Sequence, residues 1–170
     1  LLLLLLIGAS GAWLWYQQVQ QQQIRFWLGQ RLMLDLRHFC ETPATPEQPC
    51  QQPVTELPTL WHQKLRELHI GGVVLFAGNL QERQQISDLT AALQQTAPDS
   101  LPLLIATDQE GGRVARMGPP EWPPFPASGL FEPLYDRAPM SAIEAARANA
   151  EALALMLSEV GINVNCAPVL

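Results

Sequence analysis

Apolar residues along this chain fall into two rhythms, short unbroken runs and helical stripes, and the alternation of the two dictates a first picture of the fold. Val73-Val74-Leu75-Phe76 and Leu103-Leu104-Ile105-Ala106 are continuous runs bounded by turn residues, the pattern of strands buried on both faces. Between them Ile86, Leu89 and Leu93 recur at helical spacing with Gln, Glu and Arg in the intervals. Residues 80–97 are therefore predicted to be an amphipathic surface helix closed by Pro98. Leu60, Trp61, Leu65 and Leu68 predict another helix over residues 59–69, with Thr59 as cap and Gly71-Gly72 as stop. Further on, Ser141 and Glu144 have the spacing of a capping box ahead of a long alanine-rich helix reaching Val160, with Gly161 placed to end it. Arg31 to Arg37 reads as a first strand and Asn163 to Ala167 as the last.

Strands and helices thus alternate, with short connections and no hairpin signal, which is the grammar of parallel βαβ units. The expected class is α/β. An open sheet and a closed barrel are built from the same unit, so periodicity leaves both standing.

Composition changes the picture mainly at the front. Residues 1–16 are uncharged and largely apolar, though shorter than the roughly 20 residues of a spanning helix. They read either as a signal peptide with small residues Ala9 to Ala12 at its cleavage site, or as a membrane anchor with Trp13, Trp15 and Tyr16 at the interface. Residues 17–27 are a Gln-rich linker, a tether or a helical continuation, and residues 28–170 form the folded part. Export follows from either reading: the protein is expected to be periplasmic or otherwise outside the cytoplasm, or membrane-anchored. The first residue is Leu1 rather than Met, so the 170 residues are expected to be a piece of a longer protein.

A formal charge of -6 without a basic cluster argues against nucleic acid as a partner. Cys40, Cys50 and Cys166 lack the spacing of a zinc site or a redox dithiol. In an oxidising compartment, Cys40 and Cys50 are expected to close the proline-rich stretch between them as a disulfide. Cys166, within an apolar run, is expected to be a small core residue.

Ligands of parallel α/β proteins bind beyond the carboxyl ends of the strands. The richest such end follows Leu103 to Ala106: Thr107-Asp108-Gln109-Glu110-Gly111-Gly112-Arg113-Val114-Ala115-Arg116. A carboxylate accepts from neighbouring sugar hydroxyls, an arginine fork donates to oxygen, and glycines admit backbone close to a ligand. Asp108 and Glu110 would face one side if strand geometry persisted, which makes a two-carboxylate glycosidase pair conceivable. From residue types alone, an internal ion-pair network bracing the strand ends fits as well. No histidine or further acid is spaced to complete a metal shell, and no dinucleotide fingerprint is present, so neither metal nor cofactor is expected.

Weaker candidates are scattered. His62 and His69 fall in a surface helix and His38 follows a strand, where structural roles are expected. Asn79 is expected to cap the next helix rather than touch a ligand. The run Trp122-Pro123-Pro124-Phe125-Pro126 could stack on a sugar, but reads better as a rigid excursion that packs down.

Three segments, Ile70 to Phe76, Pro102 to Val114 and Gly161 to Val169, resemble in order and spacing successive signatures of the N-terminal domain of family 3 glycoside hydrolases, especially the β-N-acetylhexosaminidase branch. The resemblance covers Leu28 to Leu170 and implies about the first half of a TIM-type (β/α)8 barrel, preceded here by an N-terminal hydrophobic helix. It implies retaining hydrolysis that removes terminal N-acetylglucosamine from glycans such as peptidoglycan fragments. By the same resemblance Asp108 holds hydroxyls of the non-reducing sugar and Arg116 helps bind that ring, while Glu110 and Arg113 brace the loop. The nucleophilic aspartate and the histidine acid/base of the branch would lie after the fourth strand, so no catalytic residue is assigned within these residues. A β-glucosidase or exo-glucanase of the same family, and an inactive membrane-tethered glycan-binding module, are the competing expectations. The proline-rich segment from Gly118 to Pro139 departs from the family pattern and contributes no site residue.

Overall fold

The computed structural model describes residues 2–42, 45–98 and 100–168, with side chains described from residue 11 onward. Helix α1 (Leu2–Gly29) leads to strand β1 (Met33–Asp35); α2 (Thr59–Glu67) precedes β2 (Gly72–Val74), and α3 (Arg83–Gln94) precedes β3 (Leu104–Thr107). Two helices, α4 (Glu132–Arg137) and α5 (Pro139–Glu159), then lead to β4 (Val164–Asn165). The strands form one parallel sheet in the order β1-β2-β3-β4, with Leu34 opposite Val73, Val73 opposite Ile105 and Ala106 opposite Val164. The expected α/β class with a parallel sheet is what is found.

Burial explains the register. Val73, Leu75, Ile105 and Ala106 are wholly buried in the sheet, and α3 turns Ile86, Leu89 and Leu93 onto it. Each such aliphatic side chain contributes about 1.5–3 kcal/mol on leaving water, so a one-residue slip of a strand would cost several kcal/mol. From α5, Leu153, Met156 and Leu157 complete the layer. Leu104 corrects the picture of strands buried on both faces, being 46% exposed between the buried Leu103 and Ile105.

Helix boundaries correct two capping expectations. Helix α5 begins at Pro139 with Ala138 before it and no side-chain cap, so Ser141 and Glu144 lie inside the helix. Proline presets the helical φ and has no N–H to satisfy, which lets the helix start earlier than the box would place it. In α2 the N-cap is Pro58, and Thr59 is already helical. Gly161 does end α5, at φ 79°.

Helix α1 runs without interruption through the apolar leader and the glutamine tract. Among the described residues, no helix is long and apolar enough to cross a membrane. Cys40 and Cys50 are joined, with Cα atoms 5.7 Å apart. Cys166 overturns its expected core placement and is exposed: it follows β4, and its backbone N–H donates to Thr107 O at 2.9 Å.

Candidate sugar-binding site at the carboxyl ends of the strands

Strand β3 delivers its last buried residue, Thr107, and the chain then runs through Asp108, Gln109 and Glu110 into a turn at Gly112 and Arg113. The turn closes by Glu110 N–H donating to Val114 O at 2.9 Å and by a bridge between Gly111 and Val114. Gly111 has φ 85°, and a Cβ placed on it would stand 2.3 Å from Pro126 O, so both conformation and space require glycine. Gly112 N–H donates to Phe125 O at 2.8 Å, tying the loop to the proline-rich segment. Trp122 there is 3% exposed and joins the core, as expected of an excursion that packs down. Because β3 stops at Thr107, strand alternation does not carry on to Glu110, and the conceived pairing of Asp108 with Glu110 on one strand face lacks its premise.

Gln109 holds the loop together, which residue types alone did not reveal. Its side chain is wholly buried; Oε1 accepts from Arg116 N–H at 2.8 Å and Met117 N–H at 2.9 Å, and Nε2 donates to Met117 O at 2.8 Å. On the other side Asn165 bonds the Gln109 backbone twice, Oδ1 accepting from N–H and Nδ2 donating to O, both at 2.9 Å. Asn163 does the same for β3 through Ile105 N–H at 2.7 Å and Leu103 O at 2.9 Å. The sequence signal for this was available: two asparagines spaced by two on a strand share a face.

With its backbone fixed at both ends, the loop sets Asp108 against Arg116. Arg116 Nη2 donates to Asp108 Oδ2 at 2.9 Å, and the two side chains are 29% and 28% exposed. The pair is an ion pair, as the structural reading of the motif anticipated, yet it stands open to solvent at the strand end. It is also short of partners: among the described residues Asp108 Oδ1 has none, and Arg116 Nε is buried without one. Polar groups left so are ones that a ligand bristling with hydroxyls would complete.

The neighbouring strand ends extend this polar edge. After β2, the Phe76 ring centroid lies 5.9 Å from the Arg116 guanidinium carbon and 4.1 Å from that of Arg37, which follows β1. Arg37 in turn bonds Asp35 through Nε at 2.7 Å. This bond to the guanidinium, slightly opposed by desolvation, holds the Asp35 carboxyl below the usual carboxylate range and raises Arg37.

The remaining candidates take structural places. Asn79 is wholly buried; its Oδ1 accepts from Phe76 N–H at 2.8 Å, and Nδ2 donates to Leu36 O at 3.0 Å and Val54 O at 2.8 Å. It therefore ties β1 to the β2 turn instead of capping α3, whose N-cap is Glu82. His69 lies against the Phe26 ring at 5.4 Å. Among the described residues no group of His, Cys, Asp and Glu could hold a metal ion.

Comparison with known proteins places this geometry. The model of the glycosyl hydrolase family 3 N-terminal domain matches residues 51–170. Beta-hexosaminidase A of Pseudoalteromonas piscicida is 41% identical over 144 residues, 83% of this chain and 24% of that protein. The beta-hexosaminidase of Bordetella avium (strain 197N) is 37% identical over 108 residues, 64% of this chain and 30% of its own length. Among solved structures, NagZ from Neisseria gonorrhoeae in complex with N-trifluoroacetyl-D-glucosamine is 29% identical with a TM-score of 0.65, over 81% of this chain and 34% of that one. A family 3 beta-N-acetylglucosaminidase from Paenibacillus sp. str. FPU-7 gives a TM-score of 0.58 at 29% identity, over 82% of this chain and 23% of its own. The chain thus spans 24–30% of the length of these curated relatives.

Proposed function

This chain belongs to glycosyl hydrolase family 3, and from that premise we propose that it is the sugar-binding front part of a β-N-acetylhexosaminidase that removes terminal N-acetylglucosamine from glycans. The observation that carries the proposal is the solvent-open Asp108–Arg116 pair, incompletely bonded and held at the end of β3 by a loop whose backbone is fixed through Gln109. Relatives named beta-hexosaminidase, and a neighbouring structure holding a glucosamine derivative, support the choice of sugar.

In this reading Asp108 accepts from hydroxyls of the non-reducing sugar and Arg116 donates to the same ring, each charge-assisted bond being stronger than its neutral counterpart. Their mutual ion pair sets both groups before the ligand arrives, which reduces the ordering cost of binding. Chemistry follows the retaining scheme: a carboxylate attacks the anomeric carbon, the leaving oxygen takes a proton from an acid, and water then releases the sugar from the covalent intermediate. The nucleophile and the acid/base belong to sequence outside these 170 residues. The four parallel strands make up the first half of a (β/α)8 barrel, with α1 preceding it, in a protein that is exported. The Cys40–Cys50 disulfide supports a location outside the reducing cytoplasm.

The test is the complete protein assayed on p-nitrophenyl N-acetyl-β-glucosaminide and on the corresponding β-glucoside. Release of p-nitrophenol from the first well above that from the second is expected. Preference for the glucoside, or release from neither, overturns the reading.

A further inference from the structure

Phe76, two residues past the end of β2, is an aromatic residue without a place in the core. It is half-buried, and belongs neither to the buried hydrophobic cluster nor to the partly buried apolar residues packed against it. What its ring meets are cations: the guanidinium carbon of Arg37 lies 4.1 Å from the centroid and that of Arg116 5.9 Å. Both distances fall within the roughly 6 Å over which a ring face attracts a cation.

The backbone that carries the ring is fixed. Phe76 N–H donates to Asn79 Oδ1 at 2.8 Å, and Nδ2 of that wholly buried amide donates to Leu36 O at 3.0 Å and Val54 O at 2.8 Å. Val54 N–H in turn donates to Arg37 O at 3.2 Å. The end of β1, the turn after β2 and the chain returning from the Cys40–Cys50 disulfide are thereby held together. The ring is therefore set before any ligand arrives, which reduces the ordering cost of binding.

Arg116 is held less completely. Its Nη2 donates to Asp108 Oδ2 at 2.9 Å, while its Nε is buried without a hydrogen-bond partner. Under the proposed function sugar hydroxyls donate to the same Asp108 carboxylate, so the ligand competes for the group that anchors the arginine. The attraction between ring and cation uses none of the carboxylate lone pairs and is left intact by that competition.

We propose that Phe76 is a positioning residue of the sugar site: its ring holds the Arg116 guanidinium in place while Asp108 turns to the sugar. The proposal rests on the glycosidase reading, since Phe76 acts on substrate only through Arg116.

The experiment compares the complete protein with its Phe76→Leu and Phe76→Tyr variants. Leucine stays apolar but has no π face, whereas tyrosine keeps the face. On the aryl N-acetylglucosaminide, Phe76→Leu is expected to raise KM roughly two- to fivefold, the effect of one partly exposed cation–π contact. Its kcat is expected to stay unchanged, because the binding lost is common to ground and transition states. Phe76→Tyr is expected to keep the parent's KM, and the melting temperatures of all three to agree, since the ring stands outside the core. Reaction of Arg116 with phenylglyoxal, read by peptide mass spectrometry, needs no turnover. Its rate is expected to rise severalfold in Phe76→Leu and to stay at the parent's level in Phe76→Tyr. A leucine variant with the parent's KM or the parent's phenylglyoxal rate overturns the proposal, as does a tyrosine variant impaired as much as the leucine one. A parent that releases no p-nitrophenol overturns the glycosidase reading alone, and the phenylglyoxal rates still decide whether the ring holds Arg116.

Discussion

At the scale of single residues, the Asp108–Arg116 ion pair was legible as the structural reading of a strand end loaded with acid, base and glycine. Gln109 was not, because its burial is produced by the loop returning over it, and nothing local to a glutamine announces that. Gln109→Leu removes the partners of Arg116 N–H, Met117 N–H and Met117 O within the fold. With about 1–3 kcal/mol for a buried group left unsatisfied, the variant is expected to melt several degrees lower and to bind substrate less well. A thermal melt equal to the parent's would remove Gln109 from this role. Asp35 makes a smaller, pH-dependent contribution. Its carboxyl is held below the usual range by Arg37, so the folded state binds that proton less readily than the unfolded chain. The associated stability is present above the ordinary carboxylate pKa and is lost as pH falls through the depressed value. Exposure of 53% and 46% for the two side chains keeps it small. Arg37→Met is expected to flatten the acid limb of a stability–pH curve below about pH 4, and an unaltered limb would contradict the pairing.

At the scale of elements, strands and helices emerged from the apolar pattern with shifted ends. Leu60 and Leu68 extended the apparent stripe of α2, but they are 53% and 54% exposed, and the helix stops at Glu67. Ser141 and Glu144 imitated a capping box that Pro139 made unnecessary. Asn163 and Asn165 were read only as part of a strand, whereas their amides replace backbone partners along β3 and the Asp108 loop. Gly161 was read correctly, since its φ of 79° suits glycine alone, and it also meets α3: a Cβ there would lie 2.5 Å from Thr90 Oγ1, which donates to Val160 O. Gly161→Ala is therefore expected to cost at least about 1–2 kcal/mol from backbone conformation, with the displaced Thr90 adding to it. Chemical denaturation of the complete protein measures that loss, and an unchanged midpoint would show that the α5–β4 corner relaxes freely.

At the scale of the whole molecule, the parallel order of the sheet was readable from alternating elements, and family membership from three ordered segments. The disulfide between Cys40 and Cys50 was expected from the proline-rich stretch they bracket, whereas the bonds that pin the returning chain come from Asn79 and Gln85, far along the sequence. One physical claim joins these scales under the proposed function: the sheet holds the Asp108 carboxylate and the Arg116 guanidinium at its carboxyl end, where a sugar would meet them. Its most direct test is kcat/KM of the complete protein and its Asp108→Asn variant on the aryl N-acetylglucosaminide, with melting curves recorded alongside. Loss of about 1.5–3 kcal/mol of charge-assisted bonding predicts a fall of roughly 10- to 100-fold at an unchanged melting temperature. Equal kcat/KM for the two proteins would mean that Asp108 serves the ion pair and nothing beyond it.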